Sequence, residues 1–159
     1  MDRSRSRPAP HPRGRTLHVI DVENLAGGTT AGTVSVAASL AAYRSTVAVA
    51  TVDHVVLGSG TTFACACAAA WPGARLRLGR GRDGADHALL EAVDPCFTAS
   101  RYDRVVVGSG GHIFCGLVAG LRRRGPAVLV VARPGSLSRD LRRLAPYRPL
   151  QDAGPALAA

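Results

Sequence analysis

A chain of 159 residues with 47% apolar content can bury one substantial core, but not two comfortable ones. Aromatic residues make up only 4%, so the core is expected to be aliphatic, and the stacked-aromatic platforms of many single-strand binders are disfavoured. The net charge of +9 comes from arginine alone, as the chain has no lysine; it favours a polyanionic partner, and no amphipathic basic helix points to a membrane surface.

The competing reading of that excess is an arginine-for-lysine habit of GC-rich coding. The charge is spread along the chain: residues 1–15 carry five Arg against Asp2, and the rest carries fifteen Arg against ten acids. The opening Arg/Ser/Pro segment lacks the apolar stretch of a secretory signal, and Pro8, Pro10 and Pro12 oppose an amphipathic targeting helix, so 1–15 reads as a disordered basic tail.

Short aliphatic runs then follow in order at 17–20, 53–57, 74–78, 104–107 and 127–131. Their lack of alternation is the pattern of strands buried on both faces of a parallel sheet. Helical stretches fall between them at 34–48, 61–70, 85–98, 113–124 and 137–145. The Val-rich segment 47–52 reads either as strand or as helix end, and 147–150 is a candidate short last strand. This βα alternation predicts a single α/β domain over 16–150, a mostly parallel sheet of about five strands with helices on both faces, and a frayed end at 151–159.

No apolar run is long enough to span a membrane. Cys65, Cys67, Cys96 and Cys115 form no C-x-x-C arms, and Cys65 and Cys67 would face different sides of a helix; buried thiols in a reducing, cytoplasmic setting are the expectation.

The chemistry should gather where parallel strands end, because the loops there are free of packing and helix amino termini point into them. Asp21 closes the first strand in L-H-V-I-D-V-E-N-L. A carboxylate at the centre of a sheet is costly to bury without a cation or hydrogen-bond donors, which points to a metal ligand, with capping of the loop backbone as the alternative. Asn24 either orients a phosphate or water, or holds the turn. Glu23 is expected to face away into solvent. After the third strand, Asp83 reads as a helix cap, while Asp86, just inside the helix, should point along the sheet edge toward Asp21.

The string Gly79-Arg-Gly-Arg-Asp-Gly84 matches G-x-G-x-x-G, with Asp103 about twenty residues on. A dinucleotide fingerprint belongs after the opening strand, however, and this copy follows an interior one. The fourth strand ends in V-V-V-G-S-G-G-H-I-F, where Ser109 and the amides of Gly110 and Gly111 form a candidate phosphate cradle and His112 is the nearest titratable group. The glycines alternatively serve only a tight turn.

Four motifs in this order resemble the NYN branch of the PIN-like nuclease superfamily: D-x-x-N after strand one, G-A-D-x-x-L-L opening a helix, Y-D-R-V-V-V-G-S-G-x-x-x-F, and R-R-G-P-A-V-L-V-V with a later S-L-S-x-x-L. The resemblance covers about residues 17–150. It implies a Rossmann-like ribonuclease domain whose edge carboxylates hold Mg2+ or Mn2+ beside a scissile phosphate of RNA. Asp21 falls on the family's first catalytic aspartate, Asn24 on its companion, Asp86 on the aspartate opening the helix, Ser109 on the serine of the S-G-D loop, and Ser138 on the serine before the last helix. Where the family has an aspartate after S-G, this chain has Gly111 followed by His112, and no acid stands at Ala145 or Pro146.

Two carboxylates suffice for one magnesium ion with its retained waters, but not for a two-metal clamp. The expectation is therefore a single-metal endoribonuclease in which Asp21 and Asp86 bind the ion and Asn24 positions a water or phosphate. Ser109 and Gly110 would contact phosphate, Arg80 and Arg82 (ahead of Arg122 and Arg123) would track the substrate backbone, and His112 would partly replace the lost acid. Single-stranded RNA is expected over duplex, and a homodimer stays open. The alternative is a nuclease-derived RNA-binding module that no longer cleaves, and a third reading is a small nucleotide binder using the glycine loops.

Overall fold

The computed structural model describes residues 14–28 and 32–151; most of the expected basic tail (1–13) and of the expected frayed end (152–159) lies outside the described residues. Six strands, β1 (Thr16–Asp21), β2 (His54–Gly60), β3 (Arg75–Gly79), β4 (Arg104–Gly108), β5 (Ala127–Ala132) and β6 (Tyr147–Pro149), form one sheet in the order β3-β2-β1-β4-β5-β6. Every pairing is parallel, so this is a doubly wound, Rossmann-like α/β domain. The count is six rather than five because the three-residue β6 pairs with β5 through Val130 to Ala132.

Helices α1 (Val22–Ala26), α2 (Thr33–Thr46), α3 (Ala64–Ala70), α4 (Gly84–Ala92), α5 (Pro95–Arg101), α6 (Cys115–Arg124) and α7 (Arg139–Leu144) cover both faces. On one face, Leu89, Val118, Leu121 and Leu141 pack on Val19, Val105, Val107 and Val130. On the other, Leu25, Leu40, Tyr43 and Cys67 pack on Ile20, Leu57, Val106 and Val131. Strand β1 is buried along its whole length, whereas β3 at the sheet edge exposes Arg75 and Arg77, charges that discourage pairing with another chain.

Local chemistry redraws several expected boundaries. The single helix expected over 85–98 is two, because Pro95 has no amide to continue α4, and the Asp94 carboxylate accepts from the Phe97 amide at 2.6 Å to start α5. The short α1 was not expected. Segment 47–52 is neither strand nor helix: α2 stops at Thr46 and the chain turns at 51–52. Helices α3 and α6 each begin with a 3-10 turn, Thr61–Phe63 and His112–Phe114.

Cys65 and Cys67 do face different sides, but the expectation of buried thiols holds only for Cys67; Cys65 and Cys96 are exposed and Cys115 is half-buried, all free. Residues 14 and 15, assigned to the tail, are tied down: the Gly14 amide donates to Asp103 at 2.6 Å, and the Asp103 amide to the Arg15 carbonyl. Asp103 therefore lies at the amino edge of the sheet and Gly79–Gly84 follows the outermost strand, which removes the geometry of a dinucleotide fingerprint. Among the described residues, no helix is long and apolar enough to cross a membrane.

Helix α4 is keyed to the sheet by missing side chains. A Cβ on Gly58 of β2 would lie 2.3 Å from the Leu89 side chain, and one on Gly79 would lie 1.9 Å from the Gly84 backbone. These contacts bring the amino end of α4 down onto the carboxyl edge of β2 and β3.

Candidate functional site

Asp21 ends β1 and caps α1, so one residue serves both elements. It is 3% exposed. One carboxylate oxygen accepts from the Asn24 amide at 3.1 Å, and the other from the Ser109 hydroxyl at 3.0 Å. The first turn of α4 brings Asp86 beside Asp21 at the wall of one cleft. Burial, then the neighbouring Asp86 charge, pushes the Asp21 pKa up to about 8, against the opposing pull of the Asn24 amide and the Ser109 hydroxyl. Asp86 is raised too, by its own burial first and by the charge of Asp83, with its bond to Asp21 opposing.

They line an open cleft of about 410 Å³ with Glu23, Asn24, Gly28, Gly81, Arg82, Asp83 and Ala85. Four carboxylates face it against one guanidinium. Arg82 lies 3.9 Å from Asp83, and among the described residues neither Asp21 nor Asp86 has an ion-pair partner. A buried acid beside a half-buried one, with no counter-charge, suits a cation, which would offset the cost of ionising both. Among the described residues, no three acid, His or Cys side chains converge as a metal-holding group; the carboxylates that could hold an ion here are Asp21 and Asp86.

The remaining candidates hold the site's frame. Asn24 accepts from the Gly110 amide at 3.0 Å, bridging the loop after β1 to the loop after β4. Ser109 is fully buried; besides donating to Asp21, it accepts from the Gly111 amide at 3.1 Å. Both amides of the proposed phosphate cradle are thus engaged internally. Gly110 is packed under the next loop, where a Cβ would meet the Ser136 carbonyl at 2.3 Å, and its own carbonyl accepts from the Ser138 amide at 2.9 Å. Ser138 itself caps α7 through the Leu141 amide at 3.2 Å. His112 is exposed and outside the cleft lining, with its ring nitrogen 3.1 Å from Asp140. Arg80 is exposed and, unlike Arg82, does not line the cleft.

Two expectations about acids are corrected. Glu23 does not face away: it is half-buried, accepts from the Gly60 amide at 2.8 Å and lines the cleft. With α1 beginning directly after Asp21, helical geometry swings Glu23 over the end of β2, where an extended continuation would have alternated it outward. Asp83 makes no capping bond. It adopts φ 57°, the only non-glycine at positive φ among the described residues, a strained conformation that costs of order 1 kcal/mol.

Two further residues were missed. Asp140 pairs with His112, and Arg133, directly after β5, places its guanidinium over Gly27 at the end of α1, 3.3 Å from where a Cβ would stand. Its position directly after β5 was the available signal for Arg133, whereas Asp140 stands in the first turn of α7. The chain matches no protein-family model, no curated protein and no solved structure.

Proposed function

We propose that the chain is a single-metal ribonuclease of the NYN type that hydrolyses phosphodiester bonds in single-stranded RNA, in a cytoplasmic setting, as a monomer or homodimer. The observation that carries this reading is the buried Asp21 carboxyl beside Asp86 on the wall of an acidic cleft, with no ion-pair partner for either among the described residues. Asp21 and Asp86 would hold Mg2+ or Mn2+, which when bound would supply charge stabilisation at the phosphate and a more acidic water. Ser109 and the Asn24 amide orient the Asp21 carboxylate, and the Asn24 side chain locks the loop after β4 beside it. Arg82, at the cleft wall, is the side chain best placed for substrate phosphate.

A titration of Mg2+ or Mn2+ with labelled single-stranded RNA tests the reading: cleavage should appear with the metal and vanish in Asp21→Asn. Equal RNA binding by both proteins, with no cutting in either metal, would favour the second reading, a nuclease-derived module that binds without cleaving. That reading draws on Gly111, which leaves the loop after Ser109 without an acid, and on His112, whose ring pairs with Asp140.

A further inference from the structure

Helices α6 and α7 carry a band of exposed arginines that the proposed cleavage chemistry does not use. Arg122, Arg123 and Arg124 fill the last turn of α6, and Arg139, Arg142 and Arg143 lie on α7; Asp140 is the only acid on the two helices. The helices are tied together at both ends. His112, just before α6, pairs with Asp140 in the first turn of α7, and the Arg122 guanidinium donates to the carbonyl of Leu144, the last residue of α7. The last turn of α6 therefore lies against α7 and joins its arginines on one flank, although Arg124 turns back to the Gly120 carbonyl beside Pro95. The upper end of the flank adjoins the cleft, through the Ser138 amide on the Gly110 carbonyl and the Gly110 amide on Asn24.

Helix stability explains only part of this. Cations complement the carboxyl end of a helix dipole, which accounts for Arg122–124 and for Arg142 and Arg143. It does not account for Arg139, at the first position of α7, where the dipole disfavours a cation. Nor does it account for gathering like charges from two helices onto one face. Asp140, already paired with His112 and 3.7 Å from Arg143, neutralises little of it.

We propose that the α6/α7 flank is a backbone-binding track for single-stranded RNA that reaches the Asp21 cleft, an inference that rests on RNA being the ligand, cut or uncut. The ten residues of α6 rise about 15 Å, close to four stacked nucleotides at about 3.4 Å each. No aromatic side chain stands on either helix, so the track grips phosphates and tolerates any base sequence. A membrane surface fits less well, because Leu117, Val118, Leu121 and Leu141 are buried and leave no exposed apolar stripe to insert.

The test uses the full chain and a short labelled single-stranded RNA, with affinity followed across salt. In Arg123→Gln/Arg139→Gln/Arg142→Gln the slope of log K against log salt should become shallower by about 2, at about 0.7 per lost phosphate contact. Arg122 is left intact because it supports α7. Arg75→Gln/Arg77→Gln on the opposite edge should leave the slope unchanged, and both variants should melt like the parent. An unchanged slope in the flank variant, or an equal loss in the edge variant, would overturn the track. So would a flank variant that loses binding to phosphatidylserine vesicles while keeping RNA. RNA bound through the flank but never cut in Mg2+ or Mn2+ would overturn the ribonuclease and leave the track standing. Metal-dependent cutting, lost in Asp21→Asn but indifferent to the flank, would do the reverse.

Discussion

The two ends of the central sheet treat a carboxylate in opposite ways. At the amino edge, Asp53 accepts from the amides of Thr16 and Ala50, both at 2.8 Å, and lies 3.5 Å from the ring of buried His18, which in turn bonds Tyr43 at 2.8 Å. Burial alone would raise Asp53, but those donors outweigh it and hold its pKa below the ordinary range. At the carboxyl edge, Asp21 has two donors and an acid for a neighbour, and its pKa climbs to about 8. A cleft of about 480 Å³ also opens at the amino edge, so cavity size does not separate the two ends. Charge balance does: one acid is satisfied by the protein, and the other has no counter-charge among the described residues.

The largest expected effect breaks the contrast at its stronger end. Asp21→Asn should lower metal-dependent RNA cleavage by about 100-fold or more, since loss of second-shell support alone costs about 10- to 100-fold. Asp53→Ala should leave cleavage rates unchanged while costing about 1–3 kcal/mol in urea melts, because it strands the Thr16 and Ala50 amides. Next, Gly111→Asp should tighten metal binding by about tenfold in calorimetry. Gly111 has ordinary backbone angles, and a Cβ there would sit 3.4 Å from the Ser109 hydroxyl, so the new carboxylate starts beside the Asp21 pair without strain. If metal affinity does not change, the site is not built around that loop.

Ser109→Ala removes one of the two donors to Asp21 and should cost about tenfold in metal-dependent rate, leaving RNA affinity intact.

The smallest effect is a difference in the pH dependence of stability. Asp21 is raised in the folded state, so its contribution is complete below the unfolded carboxyl value and is lost as pH climbs through about 8. His18 is lowered, chiefly by burial with Asp53 opposing, so its contribution is complete above the ordinary histidine value and is lost as pH falls below it. Metal-free protein should therefore lose the Asp21 contribution as pH rises from the ordinary carboxyl value to about 8, and the His18 contribution as pH falls below the ordinary histidine value. Asp21→Asn should remove only the loss on rising pH in melts recorded across pH, and magnesium should stabilise increasingly as pH climbs through that window. Stabilisation by magnesium that does not grow across that window would place the ion elsewhere.

Much of this was legible from residue order. The strand positions followed from uninterrupted aliphatic runs, and the meeting of Asp21 with Asp86 followed from a strand end and a helix start at the same edge of the sheet. The partners of Asn24 and Ser109 were not legible. A hydroxyl and an amide beside a glycine loop suit a phosphate as well as each other, and only the packing of Gly110 beneath Ser136 decides. Glu23 was misread because one helical turn after Asp21 changes the direction of every side chain that follows. The strain at Asp83 has no signature in residue type, and the His112–Asp140 pair depends on two loops meeting across the end of the sheet.

The separation of the two acids is set by residues that carry no functional group. Gly79 and Gly84 touch backbone to backbone, and Gly58 receives Leu89, so α4 seats where Asp86 can reach Asp21. A single-base change from glycine to alanine at position 79 would lift the helix start and part the acids while leaving every carboxylate in the sequence. A reading by acids alone would count such a chain as keeping the Asp21–Asp86 pair after the two had parted; the glycine register before the helix is the better diagnostic of that geometry.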